Sequence, residues 1–272
     1  MNQTTASRHQ TTVHEHFGCK YAPFSDTFVL RESWASKPDT DNLRRMLLLL
    51  EQGKSFSLVG DPGTGKSMLL KTLLDRLDSK IYRHVYIPWA GQKTAQILRE
   101  ICDKIGLDTA GRTPLIHRLH KAFSRSNDGP YTVLVIDEAH ALPREALQEL
   151  FSLTLDHSTR TAGASIILCG HPVLTRILEL DINAAIRTRI AMRFAMANLA
   201  ESDVEDFVKF RLKVAAADPG LFLRETFQTL QIDAKGNRRL IMNLAGNAMS
   251  LAMERGEKVV SDEIIREVAN AA

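Results

Sequence analysis

The 272-residue sequence has few cysteines and no long apolar run, and both absences narrow its class. Cys19, Cys102 and Cys169 are far apart and form no C-x-x-C pair, so neither a zinc site nor a disulfide framework is supported. No apolar stretch approaches the length of a membrane span. The polar N-terminus, MNQTTASRHQTTVHEH, lacks the apolar segment of a signal peptide. These absences predict a cytoplasmic protein with no membrane partner.

The composition is that of a folded protein with a mild basic bias. Hydrophobic residues make up 44% of the chain, which is enough for a sizeable core. The net charge of +3 and the isoelectric point near 8.8 permit nucleic-acid binding without requiring it. An ordinary soluble protein fits this charge equally well.

Short apolar strands alternate with amphipathic helices through the first two thirds of the chain, which predicts a parallel sheet covered by helices on both faces. From about residue 200 only helices are expected. The predicted fold class is therefore α/β, followed by a small C-terminal helical lid. The expected domains are an N-terminal arm and lead-in (1–40), an α/β domain (41–199) and a helical domain (200–272). The expected strands are 55–60, 84–89, 132–137 and 165–170, and the expected helices are 41–52, 66–77, 94–105, 114–125, 144–156, 201–217, 221–231, 236–255 and 261–271.

A phosphate-binding loop, GDPGTGKS, connects the first predicted strand to the next helix. It matches G-x-x-x-x-G-K-[ST] in the strand–loop–helix context that the motif requires. Its glycines let backbone N–H groups surround phosphates, and the helix N-terminus adds partial positive charge. Lys66 is expected to reach the β- and γ-phosphates of ATP, and Ser67 to bind Mg²⁺. The nucleotide-binding set is Gly60, Asp61, Pro62, Gly63, Thr64, Gly65, Lys66, Ser67 and the adjacent Met68.

The stretch VLVIDEAHAL places two acids at the end of a predicted buried strand. Asp137 is expected to hold Mg²⁺, and Glu138 to orient and polarise the attacking water. The quartet Asp137-Glu138-Ala139-His140 also names a helicase class. Helicases of that class carry two motor domains, and this chain has room for one. We therefore expect His140 to be structural, or to support neighbouring site residues, and not to act as a helicase coupling residue.

Three further segments suggest contacts with nucleotide. His171, after the strand SIILCG, either contacts the γ-phosphate region or caps a turn before Pro172. Arg187 and Arg189 are candidates for an arginine finger given to a neighbouring subunit, or are surface cations. Arg238 and Arg239 begin a predicted helix, where cations are disfavoured, so they either reach back to a nucleotide or form a solvated pair.

With these motifs placed, the chain resembles the AAA+ ATPases. More narrowly it resembles the ExeA-like group and the transposition ATPases TnsC, Mu B and IstB. The resemblance rests on HFGCKYAPF, GDPGTGKS, VLVIDEAHAL, ILCGHPVL, RTRI and GNRRLIMNLAGNAMSLA. It implies an ATP- and Mg²⁺-dependent homo-oligomer, a ring or a helical filament, with nucleotide between the subunits and the helical lid. In the transposition branch, the filament wraps double-stranded DNA and recruits or activates a transposase.

The chain also departs from the ExeA-like pattern. His171 stands where that pattern has the glutamine of Gly-Gln-Pro. ExeA also continues into a membrane segment and a peptidoglycan-binding domain that have no counterpart in these 272 residues. We therefore expect a role in transposition rather than in secretion.

Two basic segments are candidates for contact with DNA phosphates. The first is the loop AGQKTAQ after the second strand, and the second is the helix within GRTPLIHRLHKAFSRS, whose cations share one face. A solvated basic surface is the alternative for both. The candidate residues are Gln92, Lys93, Thr94, Arg118, Lys121 and Arg125.

The first functional hypothesis is an ATP-dependent, sequence-independent regulator of transposition that assembles on double-stranded DNA. Its expected partners are a transposase, a target-selection protein and further copies of itself. The second hypothesis is an ExeA-like assembly or secretion ATPase acting on protein complexes without DNA. The third is a loader or initiator ATPase of the replication type.

Overall fold

The computed structural model describes residues 12–25, 34–89, 91–124, 129–156 and 161–271. Two compact units are present. The first, here called the α/β unit, is Lys37–Ala197. The second, here called the helical unit, joins the residues from Asn198 onward to the described part of the first 36 residues.

The strands, in chain order, are β1 (Ser55–Gly60), β2 (Tyr82–Ile87), β3 (Tyr131–Ile136), β4 (Leu155–Asp156), β5 (Thr161–Ala162), β6 (Ala164–Gly170) and β7 (Ile190–Met196). The helices are α1 (Val13–His16), α2 (Lys37–Glu51), α3 (Lys66–Asp75), α4 (Thr94–Lys104), α5 (Leu115–Phe123), α6 (Arg144–Ser152), α7 (Val173–Glu179), α8 (Ala184–Arg187), α9 (Glu201–Val214), α10 (Thr226–Ala234), α11 (Arg238–Glu254) and α12 (Asp262–Ala271).

The main sheet is parallel, with the strand order β2-β3-β6-β1-β7. Every residue of β1, β3 and β6 is buried, because helices cover both faces of these central strands. Alternate residues of β3 enter different cores: Leu134 and Ile136 pack beneath α4, α5 and α6, while Val133 and Val135 pack beneath α2 and α3. The prediction of a parallel sheet flanked by helices is confirmed.

The α/β unit differs from the predicted elements in three places that concern the sheets. β7, an edge strand, was not predicted, because its sequence IAMRFAM is exposed at four of seven positions and does not form a continuous apolar run. β2 ends at Ile87 instead of residue 89, since Pro88 has no N–H for a ladder hydrogen bond. The helix expected over 144–156 ends at Ser152, and Leu155–Asp156 instead pairs antiparallel with Thr161–Ala162.

The helical unit is built from α9 to α12 and the N-terminal lead-in. Phe24 packs edge-to-face on Phe222, with ring centroids 5.6 Å apart, and Trp34 packs on Phe207 at 5.5 Å. Arg211 of α9 is 95% buried and donates to the carbonyls of Pro23 at 2.7 Å and Ser25 at 3.3 Å. The lead-in is therefore part of this unit's core.

Within the described ranges, the helices are too short or too polar to cross a bilayer.

Candidate nucleotide-binding site

The phosphate-binding loop runs from the end of β1 to the start of α3. Gly63 and Gly65 adopt positive φ angles of 83° and 97°, which side chains other than glycine disfavour. A Cβ on Gly60 would lie 2.6 Å from the carbonyl oxygen of Met196 in β7. Glycine at position 60 therefore lets the strand β7 pass close to the base of the loop.

Lys66 lies at the first position of α3, and its side chain folds back across the loop. Its Nζ donates to the carbonyls of Gly60 at 2.8 Å and Asp61 at 2.9 Å. The Thr64 hydroxyl donates to the same Asp61 carbonyl at 2.8 Å. The ammonium group therefore lies within the loop, where the motif predicts that phosphates bind.

Asp137 follows β3 at the carboxyl edge of the sheet, and Ser67 faces it from α3. The Ser67 hydroxyl donates to Asp137 Oδ2 across 3.4 Å. Asp137 Oδ1 accepts from the N–H of Glu138 at 2.9 Å. The two expected Mg²⁺ ligands are therefore brought together from sequence positions 70 residues apart.

Tyr86 is a further member of this site that the sequence did not single out. Its hydroxyl donates to Asp137 Oδ2 from the neighbouring strand β2. Burial and the adjacent Asp137 carboxylate raise the pKa of Tyr86 well above its usual value, which keeps the phenol protonated as a donor. Nothing in the sequence indicated this role, because Tyr86 lies inside a predicted strand and 51 residues before Asp137.

Glu138 projects from a strained turn just beyond Asp137. Its φ of 50° lies in the left-handed region, which is uncommon for a residue other than glycine. Its Oε2 lies 3.5 Å from Nδ1 of His140. The side chain is half exposed, as access to an attacking water requires.

His171 begins the turn between β6 and α7. Its Nε2 lies 3.7 Å from Oδ1 of Asp61 in the phosphate-binding loop, and its Nδ1 accepts from the N–H of Val173 at 3.4 Å. Both interpretations of His171 therefore have a counterpart: the side chain meets the turn and also faces the loop.

Arg187 and Arg189 both contact backbone oxygens of their own unit. Arg187 donates to the Glu179 carbonyl at 2.9 Å, and Arg189 donates to the Phe151 carbonyl at 2.5 Å. The nearby Arg193 forms an ion pair with Glu179 at 2.9 Å. Of the first two, Arg189 is the more exposed.

Arg238 and Arg239 lie in the helical unit, at the start of α11. Arg238 is buried, and its guanidinium lies 5.9 Å from the centroid of the Trp34 ring, while Arg239 is exposed. The aromatic ring offsets part of the cost of a cation at a helix N-terminus. The caps are otherwise conventional, since the Asn237 side chain accepts from the N–H of Leu240 at 3.3 Å.

The expected DNA-contacting residues differ in their surroundings. Lys93 is exposed just before α4, Thr94 opens that helix, and Gln92 is engaged with Glu100 at 3.2 Å. Arg118 donates to the carbonyls of Asp108, Ala110 and Thr113 at 2.5, 2.5 and 3.2 Å. Lys121 is exposed on the same helix, and Arg125 lies outside the described residues.

No cluster of three or more His, Cys, Asp or Glu side chains that could hold a metal occurs in the described ranges.

The segment that contains this site matches the model of a known protein family. Residues 50–178 match the family model described as "AAA domain". The α/β unit has the P-loop AAA fold. General secretion pathway protein A of Aeromonas hydrophila is 28% identical over 256 residues, which is 92% of this chain and 47% of that protein. The chain therefore spans about half the length of this relative.

Solved structures support the same fold. Cdc6p from Pyrobaculum aerophilum has a TM-score of 0.71 at 17% identity, covering 92% of this chain and 70% of that one. The Aeropyrum pernix ORC1 protein in complex with DNA has a TM-score of 0.69 at 18% identity, covering 92% and 68%. The Thermotoga maritima RuvB Holliday junction branch migration motor scores 0.55 at 14% identity, covering 85% and 68%. At these identities the likeness concerns the fold alone.

Proposed function

We propose that this protein binds ATP with Mg²⁺ and hydrolyses it, and that the nucleotide controls its assembly with further copies of itself. One observation carries the proposal. Lys66, Ser67, Asp137 and Glu138 meet at the carboxyl edge of the sheet, where ligands bind in open α/β folds.

The residues present fit a nucleotide and Mg²⁺. Ser67 and Asp137 supply adjacent oxygen ligands, and the positive-φ glycines leave the loop backbone open to phosphate. Lys66 would exchange its two loop carbonyls for phosphate oxygens. Bound Mg²⁺ would neutralise charge that develops on the phosphates.

Glu138 is the group assigned to the attacking water. Glu138 directly follows Asp137, and its half-exposed carboxylate is open to accept a hydrogen bond from that water and orient it. Arg189 is the better candidate for an arginine finger, because it is exposed. In that role its hydrogen bond to the Phe151 carbonyl would be replaced by one to a phosphate of the ATP bound in the neighbouring subunit.

Two substitutions test the ATPase proposal. Lys66→Ala should abolish nucleotide binding, and Glu138→Gln should bind ATP but stall hydrolysis and retain the assembled state. Lys71→Ala, an exposed lysine on the same helix, is the matched control. ATP binding by calorimetry and phosphate release would be measured together. Normal binding by Lys66→Ala, or normal turnover by Glu138→Gln, would overturn the corresponding assignment.

For the output of this ATPase, we propose action on double-stranded DNA in transposition. Lys93 is exposed in the loop after β2, and Trp89 at the start of that loop is 59% exposed, so this loop offers a cation and an aromatic side chain. The mild positive charge agrees with binding to phosphates. Two of the structural neighbours were solved with DNA, the Aeropyrum pernix ORC1 protein and Drosophila ORC.

A second candidate output is the assembly of protein complexes without DNA. The observation that favours it is the relationship to general secretion pathway protein A, which extends over 92% of this chain. A replication-type initiator is the third, and it would differ from the first by preferring one DNA sequence.

Electron microscopy with duplex DNA separates these outputs. Filaments or stacked rings on DNA with a non-hydrolysable ATP analogue, and not with ADP, would support the first. DNA-free rings and no stimulation of hydrolysis by DNA would favour the second. Lys93→Ala should weaken DNA binding on every sequence and reduce the slope of log affinity against log salt by about one, whereas Lys71→Ala should not.

A further inference from the structure

One nitrogen of His140 lies between two groups that make opposite demands on it. Its Nδ1 is 3.5 Å from Oε2 of Glu138 and 3.4 Å from the main-chain nitrogen of His171. The carboxylate can only accept a hydrogen bond, and the main-chain N–H can only donate one. A single imidazole nitrogen either carries a hydrogen or presents a lone pair, so it can satisfy one partner at a time.

The end of β6 is built to bring the backbone against this ring. A Cβ on Gly170 would lie 3.1 Å from His140 Nδ1 and 3.4 Å from the nitrogen of Ala139. That spacing is tighter than ordinary van der Waals contact, so a side chain at position 170 would displace the ring. Glycine here has a local reason that does not depend on backbone conformation.

We propose that His140 is a positioning residue that couples Glu138 to the turn after β6 through this exclusive choice. When Nδ1 accepts from the His171 N–H, it carries no hydrogen for Glu138, and that carboxylate is left to the attacking water. When Nδ1 carries a hydrogen, it donates to Glu138, and the turn loses its bond to the ring. The inference rests on the proposed role of Glu138 in hydrolysis.

The turn connects this choice to the phosphate-binding loop. The N–H of Val173 donates to Nδ1 of His171, so in the neutral ring the hydrogen lies on Nε2. That Nε2 faces Oδ1 of Asp61 at 3.7 Å. A shift of Asp61 when phosphates fill the loop therefore reaches His171, its main chain and the Nδ1 of His140. The sequence Asp61–His171–His140–Glu138 is a physical path from the bound phosphates to the water-orienting carboxylate.

Three variants test the coupling by steady-state hydrolysis and ATP binding. His140→Leu keeps the apolar volume and removes both bonds, so kcat should fall about tenfold while KM changes less than about twofold. His140→Asn keeps an amide that can donate or accept, and it should retain kcat within roughly threefold of the wild type. Gly170→Ala retains His140 but pushes it from the turn, and it should lower kcat without lowering ATP affinity.

Gly129→Ala is the control, because a Cβ there meets no atom within 4 Å. It should match the wild type. A wild-type kcat in His140→Leu would overturn the coupling, since a residue that only fills space is replaced by leucine. Equal losses in His140→Leu and His140→Asn would overturn it as well. Failure of the ATPase proposal is distinguishable, because the wild-type protein itself would then show no hydrolysis dependent on Lys66.

Discussion

Tyr86 and Arg118 show how single side chains acquire roles that their sequence surroundings do not announce. Tyr86 lies in a predicted strand, yet its hydroxyl binds the carboxylate expected to hold Mg²⁺, 51 residues further along the chain. Arg118 lies on a basic helix face, and its guanidinium binds three carbonyls of the loop that precedes its own helix. In both cases the local sequence pattern does not indicate the partner that folding brings into contact.

Tyr86→Phe should tighten the binding of Mg²⁺ with ATP. The hydroxyl competes with the metal for Asp137 Oδ2, and removal of one such hydrogen bond is worth about 1 kcal/mol, or roughly fivefold in affinity. The Mg²⁺ dependence of ATP hydrolysis and calorimetric titration would measure it. A lower affinity for Mg²⁺ in Tyr86→Phe would mean that the hydroxyl instead holds Asp137 in its metal-binding orientation.

Arg118→Lys should destabilise the protein without changing its DNA salt dependence. A lysine cannot reproduce the guanidinium fork that serves Asp108, Ala110 and Thr113, so the free energy of unfolding should fall by about 1–2 kcal/mol. Chemical denaturation measures this, with the exposed Arg112→Lys as the control. A smaller slope of log DNA affinity against log salt at unchanged stability would contradict this prediction and support the DNA-contact hypothesis for Arg118.

At the scale of elements, burial explains which strands could be predicted. β1, β3 and β6 are covered on both faces and appear in the sequence as continuous apolar runs. β7 pairs with β1 on one side only, and its exposed positions carry Met192 and Arg193. β7 forms a strand because it makes backbone hydrogen bonds with β1, and no pattern in its own sequence indicates this pairing.

Gly60 belongs both to the phosphate-binding loop and to the sheet, where it pairs with Met196 of β7. Gly60→Ala should lower the free energy of unfolding by about 1–3 kcal/mol, because its Cβ would meet the Met196 carbonyl oxygen. ATP affinity should fall with it. Thermal unfolding and ATP titration would show both, with Gly129→Ala as the control. An unchanged unfolding midpoint would mean that β7 moves aside without cost.

At the scale of the whole molecule, the chain folds as two units, and its beginning belongs with its end. The lead-in places Phe24 and Trp34 among aromatic residues of the helical unit. The sequence predicted an arm and lead-in over residues 1–40, but not the residues that the lead-in contacts. Contacts across nearly 190 residues, such as that of Arg211 with Pro23, decide it.

Deletion of residues 1–25 should destabilise the helical unit by at least about 2 kcal/mol, because the buried Arg211 loses two carbonyl acceptors. Hydrogen exchange should accelerate in α9 and remain slow in β1, β3 and β6. Deletion of residues 1–11 alone is the control, since it leaves both acceptors in place. Unchanged exchange in α9 after the longer deletion would show that the lead-in adds little to this unit.

The sequence by itself determined the phosphate-binding loop, the two acids after β3, the parallel sheet and the helical C-terminal region. These follow from local patterns: glycine spacing, runs of buried residues and helical periodicity. The tertiary structure decided that Tyr86 binds Asp137, that Arg118 holds a loop, that β7 completes the sheet and that His140 faces both Glu138 and His171. The contacts of Tyr86, of β7 and of His140 with His171 join atoms distant along the chain, and the packing of neighbouring strands sets them. The Arg118 contacts are local, and they depend on how the loop before α5 folds.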